Sequence, residues 1–279
     1  MNFEKFSVSM CVYGGDHPEW FATAVDSILN QTVKPDEIVL VVDGPVPESL
    51  DAIIHDYEQK PEFRVIRLEK NMGHGEARRI GLNACSYDLV ALMDADDISA
   101  PDRFEKQLTA FQNAPALTIV GGNITEFVDT PDNRVGTRVV FTEDDEIKRD
   151  MKKRCPMNQV TVMFRKNCVD RVGGYIDWYC EEDYYLWLRL MLNGGNFANI
   201  PEPLVNVRVG KEMYQRRGGT KYFKSEAKLQ KWMLQHKVIG FGTYMVNVNK
   251  RLIVQVLLPN RLRGWVFKKY ARTSVQGIT

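Results

Sequence analysis

Asp94-Ala95-Asp96-Asp97 offers the clearest chemistry in this chain, because it ends an apolar run, Leu89-Val90-Ala91-Leu92-Met93. An unpaired charge is too costly in a core, so all these carboxylates are expected outside it, at a strand end. Two carboxylates one residue apart on an irregular turn can share a hard divalent cation and leave positions open for phosphate oxygens. Such an ion would act as a Lewis acid on a diphosphate leaving group. The competing reading is a helix cap, with Asp96 or Asp97 preparing the helix whose first turn suits Pro101. Spacing alone leaves both open. A second acidic group, Glu181-Glu182-Asp183, precedes the apolar run Tyr184–Leu192. The dipole of a helix there favours the carboxylate form, so Asp183 is expected to be ionised at pH 7. Here too the alternative is a plain cap.

Other candidate chemistries are disfavoured. Gly14-Gly15 and Gly173-Gly174 make no G-x-G-x-x-G, and no Walker A lysine is present, which argues against a nicotinamide dehydrogenase or P-loop NTPase. His17, His55, His74 and His236 lack metal-ligand spacing, and the five cysteines are scattered and odd in number. They read as reduced thiols. A formal net charge of +1 speaks against a general nucleic-acid binder.

The elements that must position the carboxylates follow from periodicity. Phe6–Tyr13, Glu37–Asp43, Phe63–Leu68 and Leu89–Met93 read as strands, separated by amphipathic segments Trp20–Asn30, Glu48–Gln59 and Gly75–Cys85. Such alternation predicts an α/β fold with right-handed crossovers and a mostly parallel sheet. Ligands in such sheets sit beyond the carboxyl ends of strands, here Tyr13, Asp43, Asn71–Gly75 and Asp94–Asp97. A helix from about Asp102 to Asn113, a strand Thr118–Phe127, a polar stretch Asp129–Arg138, a strand Thr161–Arg165 and a buried helix Tyr184–Leu192 are expected next. The composition changes after Pro201-Glu202-Pro203, and from Lys221 the chain reads as basic, aromatic helices. With 279 residues, 44% hydrophobic and 26% charged, the chain can bury a sizeable core. It has no signal-peptide pattern and no apolar run long enough to span a bilayer, so a cytoplasmic protein is expected.

Several ordered segments resemble family 2 glycosyltransferases. They are Ser7–Tyr13, Ser27–Thr32, Glu37–Gly44, Asn71-Met72-Gly73 with Ala77-Arg78, Leu92–Phe104, Val172–Tyr175 and Glu182–Arg189. The resemblance runs from about Ser7 to Val209, and Val42-Asp43-Gly44-Pro45 is most similar to the bacterial exopolysaccharide and capsule subgroup. It implies a GT-A fold, with a nucleotide-binding half at 1–128, an acceptor-binding half at 129–220 and a helical C-terminal region at 221–279. It also implies an inverting, metal-dependent transfer from a UDP-sugar to a hydroxyl of a glycan or lipid-linked saccharide. Asp43 would accept the uracil imide hydrogen, Tyr13 would pack on the base, and Cys11 would touch it. Arg78 would lie near the nucleotide, Asp94 on the ribose side, and Asp96 would be the main ligand of Mn²⁺ or Mg²⁺, with Asp94 beside it. Asp97 would stand behind them, and Asp183 would be the base that takes the acceptor proton. For Arg78 the plain alternative is a solvated helix residue beside Arg79.

The chain departs from the family pattern at Val42, Gly14, Gln159-Val160 and Gly210-Lys211, where a second acid, an Asn, a His-Pro pair and a late His are usual. Two rival readings are a non-catalytic sugar-nucleotide or glycan-binding relative and a sugar-phosphate nucleotidyltransferase. The second expects basic residues after the first strand, which Tyr13-Gly14-Gly15-Asp16-His17 lacks. From Lys237 on, Phe241, Tyr244, Ile253, Leu257, Trp265 and Phe267 mix with Lys250, Arg251, Arg261, Arg263 and Lys268. That mixture suits peripheral contact with an anionic membrane, and equally a helical cap on the catalytic domain.

Overall fold

A computed structural model describes residues 3–210 and 219–258. The first half alternates strands and helices: β1 Phe6–Tyr13, α1 Pro18–Leu29, β2 Glu37–Asp43, α2 Glu48–Glu58, β3 Phe63–Arg67, α3 His74–Ala84 and β4 Leu89–Met93. Then follow β5 Ile98–Ser99, α4 Arg103–Asn113, β6 Ile119–Phe127, β7 Arg134–Arg138, α5 Asp144–Asp150, β8 Met163–Arg165, α6 Lys166–Arg171, α7 Glu182–Leu192 and β9 Phe197–Arg208. Two further helices, α8 Thr220–Gln235 and α9 Phe241–Leu252, run into a wider π-type turn, Ile253–Leu257.

Among the described residues the strands form one sheet in the order β3-β2-β1-β4-β8-β6-β9-β5, with β7 paired to β6. The sheet is parallel across β3-β2-β1-β4, as strand–helix alternation requires. Beyond β4 it is mixed: β8 runs antiparallel to β4 and β6, while β9 is parallel to β6. Both faces of the central strands are covered, which explains the unbroken apolar runs of β2 and β4, while β1 alternates apolar residues with the buried Ser7 and Ser9. Leu89, Ala91 and Met93 of β4 face a core with Phe21, Ile28, Phe104 and Leu108 from α1 and α4. Val90 and Leu92 face the other core, with Leu82, Phe164, Trp187 and Leu190. Leu229 and Met233 of α8 enter this second core, so the first of the C-terminal helices packs on the α/β body.

Three strands lie where the sequence suggested none: β5, β7 and β9. β9 runs straight through Pro201-Glu202-Pro203. Its register on β6 slips around Gly122 and Asn123, where the partners jump from Ile200 to Pro203 to Val205. The irregularity leaves Pro201 and Glu202 without a partner on β6 and seats Pro203 between two register shifts, where its missing N–H interrupts no regular ladder.

Candidate active site

The register of the parallel strands gathers the strand ends. Tyr13 lies opposite Asp43, and Met10 lies opposite Met93, which brings Cys11 level with Asp94. Cys11, Asp43, Arg78, Asp94 and Asp96 therefore share one rim, as expected for ligand groups of an open α/β sheet.

Asp43 is buried, and its carboxylate accepts the main-chain N–H groups of Met72 (2.6 Å) and Gly73 (3.1 Å). A carboxylate has about four acceptor positions, so these bonds orient it and leave room for a ligand donor. Gly44 follows with φ +86°, and a side chain there would strike the Asn71 nitrogen at 2.5 Å, so the 71–73 loop can close on the strand end only over glycine. Tyr13 is exposed, with its ring so close over Gly15 that a side chain there would meet it at 2.6 Å. The Cys11 thiol is pushed up to about 12, chiefly by burial, so it packs as a neutral group.

Arg78 is no solvated helix residue. It is 1% exposed and pairs through Nη2 with Asp94 Oδ1, while its Nε donates to His74 Nε2 at 3.1 Å. Its Nη1 is buried without a protein partner. Burial and the charges of Asp94 and Asp16 push Asp96 up to about 6. Burial and Asp94 likewise raise Asp16, which accepts a bond from the Tyr13 N–H at 3.0 Å. Three carboxylates thus repel one another in a half-buried space, a condition that a divalent cation relieves. The oxygen donors of Asp94 and Asp96 suit Mg²⁺ or Mn²⁺. Among the described residues no group of three or more His, Cys, Asp or Glu could hold an ion.

The cap reading of Asp96 and Asp97 fails, because α4 begins at Arg103 with Asp102 in the cap position. The expectation that every carboxylate of this turn avoids the core also fails at Asp97, which is 2% exposed. Asp97 accepts the Arg208 N–H at 2.8 Å, and burial, then Asp96 and Asp94, push it well above the usual carboxylate range. A proton on Asp97 avoids the cost of a bare buried charge. Arg208 also donates through Nε to the Asp96 carbonyl at 3.2 Å and lies 4.4 Å over the Trp20 ring.

The second acidic cluster occupies the start of α7. Asp183 accepts the Tyr184 N–H at 2.6 Å and faces the Cys155 thiol at 3.7 Å. Burial, then the charge of Glu182, push it up to about 6, so desolvation outweighs the helix dipole. It is still mostly ionised at pH 7 and is a better base than a free carboxylate. Its neighbours are otherwise engaged. Glu182 bonds to His74 Nδ1 at 3.1 Å, and Glu181 is buried beside the Glu226–Arg251 pair, where burial and Glu226 push it up strongly. Asp16, His74, Cys155 and Arg208 are members of the site that sequence reasoning did not single out. The one local signal was Asp16, an acid three residues past a strand end.

The family model for glycosyl transferase family 2 matches residues 7–173. An uncharacterised glycosyltransferase of Haemophilus influenzae is 40% identical over 268 residues, 95% of this chain and 100% of that protein. An Escherichia coli protein, UDP-Gal:alpha-D-GlcNAc-diphosphoundecaprenol beta-1,3-galactosyltransferase, is 38% identical over 96% of this chain and 97% of its own length. The amylovoran biosynthesis glycosyltransferase AmsE of Erwinia amylovora is 39% identical over 95% of this chain and 98% of its own. Among solved structures, Staphylococcus aureus TarS 1–349 superimposes with TM-score 0.61 over 95% of this chain and 75% of that one. At 16% identity that likeness speaks for the fold, the GT-A arrangement expected from the sequence.

Proposed function

Because this chain belongs to glycosyl transferase family 2, we propose that it moves a sugar from a UDP-sugar to a hydroxyl of a lipid-linked saccharide, with inversion, during bacterial surface polysaccharide synthesis. The observation that carries this reading is the pair of acidic clusters: Asp94 and Asp96 at the rim of β4, and Asp183 at the start of α7, joined through Arg78, His74 and Glu182. The names of the E. coli and Erwinia relatives point to the same substrate class and process. Residues 1–220 would form the catalytic unit and α8 and α9 a helical extension to it; residues 259–279 of the expected region 221–279 lie outside the described residues.

Asp43, with Cys11 and Tyr13, would hold the uracil. Arg78 would fix Asp94 and offer its unpartnered Nη1 to the nucleotide. Asp96 and Asp94 would hold Mn²⁺ or Mg²⁺, which neutralises charge on the departing diphosphate when bound. Asp183 would take the acceptor proton as the hydroxyl bonds to the anomeric carbon. A weak base suffices there, because the proton becomes acidic only as that bond forms.

Uridine selectivity tests the donor assignment. The N3–H of uracil can donate to Asp43, whereas cytosine leaves that acceptor unmatched at a cost of about 1–3 kcal/mol. UDP is therefore expected to bind roughly ten- to a hundredfold tighter than CDP by calorimetry, since about 1.4 kcal/mol is tenfold. Equal affinities, or a preference for GDP, overturn the assignment.

A lipid-linked acceptor makes peripheral membrane contact part of the same proposal. No helix among the described residues is long and apolar enough to cross a membrane. Yet Phe241, Val246 and Leu257 are each about two-thirds exposed (68%, 66% and 65%) along α9 and the turn after it. The basic-aromatic residues from Arg261 onward lie outside the described residues. Wild type is expected to co-sediment with anionic vesicles more than with neutral ones, and Phe241→Glu with Val246→Glu to abolish the difference. Equal sedimentation of wild type and variant removes this face as the contact.

A further inference from the structure

His74 bridges the two acidic clusters. Arg78 Nε can only donate, so the 3.1 Å contact makes His74 Nε2 the acceptor. The ring proton then sits on Nδ1 and is donated to Glu182 Oε1, also at 3.1 Å. On the donor side the bridge is stiff. Arg78 is buried, its planar fork is committed to Asp94 by another arm, and His74 lies one helical turn away on the same helix. On the acceptor side Glu182 is the first residue of α7 and the immediate neighbour of Asp183. The starts of α3 and α7 are close: a Cβ on Gly75 would come within 4.0 Å of Glu182 Cβ.

An exposed His–Glu pair on its own is worth little. This one differs because the exposed ring (51%) joins two groups that are not exposed, Arg78 at 1% and Glu182 at 13%. We propose that His74 is a positioning residue that couples engagement of the donor diphosphate at Asp94 and Arg78 to the placement of the first turn of α7, and so of Asp183. The proposal rests on the donor and base assignments made for these residues. Burial works to raise Glu182, yet the bond from His74 helps hold it below its usual value; a charged Glu182 is then kept beside Asp183.

His74→Gln keeps one acceptor and one donor in the same place, whereas His74→Phe keeps bulk and loses both. UDP affinity, kcat and KM with the UDP-sugar consumed by wild type, and amide exchange of the first turn of α7 with and without UDP are to be measured in Mn²⁺. UDP is expected to slow that exchange in wild type and His74→Gln but not in His74→Phe. For His74→Phe, kcat should fall roughly tenfold to a hundredfold, the scale of a small misplacement of a reacting group, with donor KM little changed. Full kcat and UDP-dependent protection in His74→Phe overturn the proposal. So does failure of Gln to restore what Phe loses, or UDP binding that leaves α7 exchange unchanged in wild type. A wild type without affinity for UDP overturns the donor assignment, and the coupling with it.

Discussion

Replacing Asp183 by Asn is expected to lower turnover by roughly 10²–10⁴, the usual contribution of a positioned base. Asn keeps the shape of the side chain and an oxygen to accept the Tyr184 N–H, but it cannot take a proton. If Asp183 were only a helix cap, Asn would serve nearly as well and the effect would be mild. Donor binding should survive, because no contact proposed for the nucleotide passes through Asp183. The same group sets a pH limb. A base must be deprotonated, and Asp183 titrates near 6, so wild-type kcat/KM should be level above that pH and fall as pH drops through it. Asp96 titrates in the same range when free, so the profile is taken in saturating Mn²⁺, which holds a ligand carboxylate ionised. The residual activity of Asp183→Asn should lack the limb. Near-normal turnover in a folded, UDP-binding variant would move attention to Glu182.

Asp96→Ala is expected to cost roughly 10²–10³ in turnover, the scale of losing one preorganised stabiliser of developing charge. In wild type, UDP should bind more tightly in Mn²⁺ than in chelator; in Asp96→Ala the two affinities should coincide. The variant should not be less stable at neutral pH, since Asp96 is pushed up by burial and by its acidic neighbours Asp94 and Asp16. Removing it relieves repulsion. A thermal melt beside the calorimetry separates loss of the ion from loss of the fold. Unchanged affinity in all four combinations of protein and metal sinks the metal role.

How far the sequence could be read depended on whether a feature was local. β1, β2 and β4 have the bounds expected from the sequence, β2 and β4 because a strand buried on both faces reads as a continuous apolar run and β1 because its apolar residues alternate with small polar ones. Their carboxyl ends could then be named, and Cys11, Tyr13, Asp43 and Asp94 fall there. β9 was hidden by its prolines, whose accommodation depends on irregular pairing with β6. With β9 hidden, Arg208 could not be placed against Asp96 and Asp97. His74 looked incidental because its partner Glu182 lies 108 positions away. Arg78 was ambiguous for a similar reason. Its burial comes from the packing of α3 against β1 and β2, and no neighbour in sequence announces it. The helix dipole argued for a low-lying carboxylate at Asp183, whereas in the folded chain burial and then the charge of Glu182 push it up.

On the proposed mechanism the strand-end carboxylates hold a UDP-sugar and Asp183 activates the acceptor. It is tested most directly by nucleoside-diphosphate release across a panel of UDP-, GDP- and CDP-sugars with a GlcNAc-diphospholipid acceptor, with and without Mn²⁺, for wild type and Asp183→Asn. Mn²⁺-dependent, acceptor-dependent release from at least one UDP-sugar is expected of wild type, and its near-complete loss in Asp183→Asn. Release from only GDP- or CDP-sugars, or equal release by the two proteins, would contradict it.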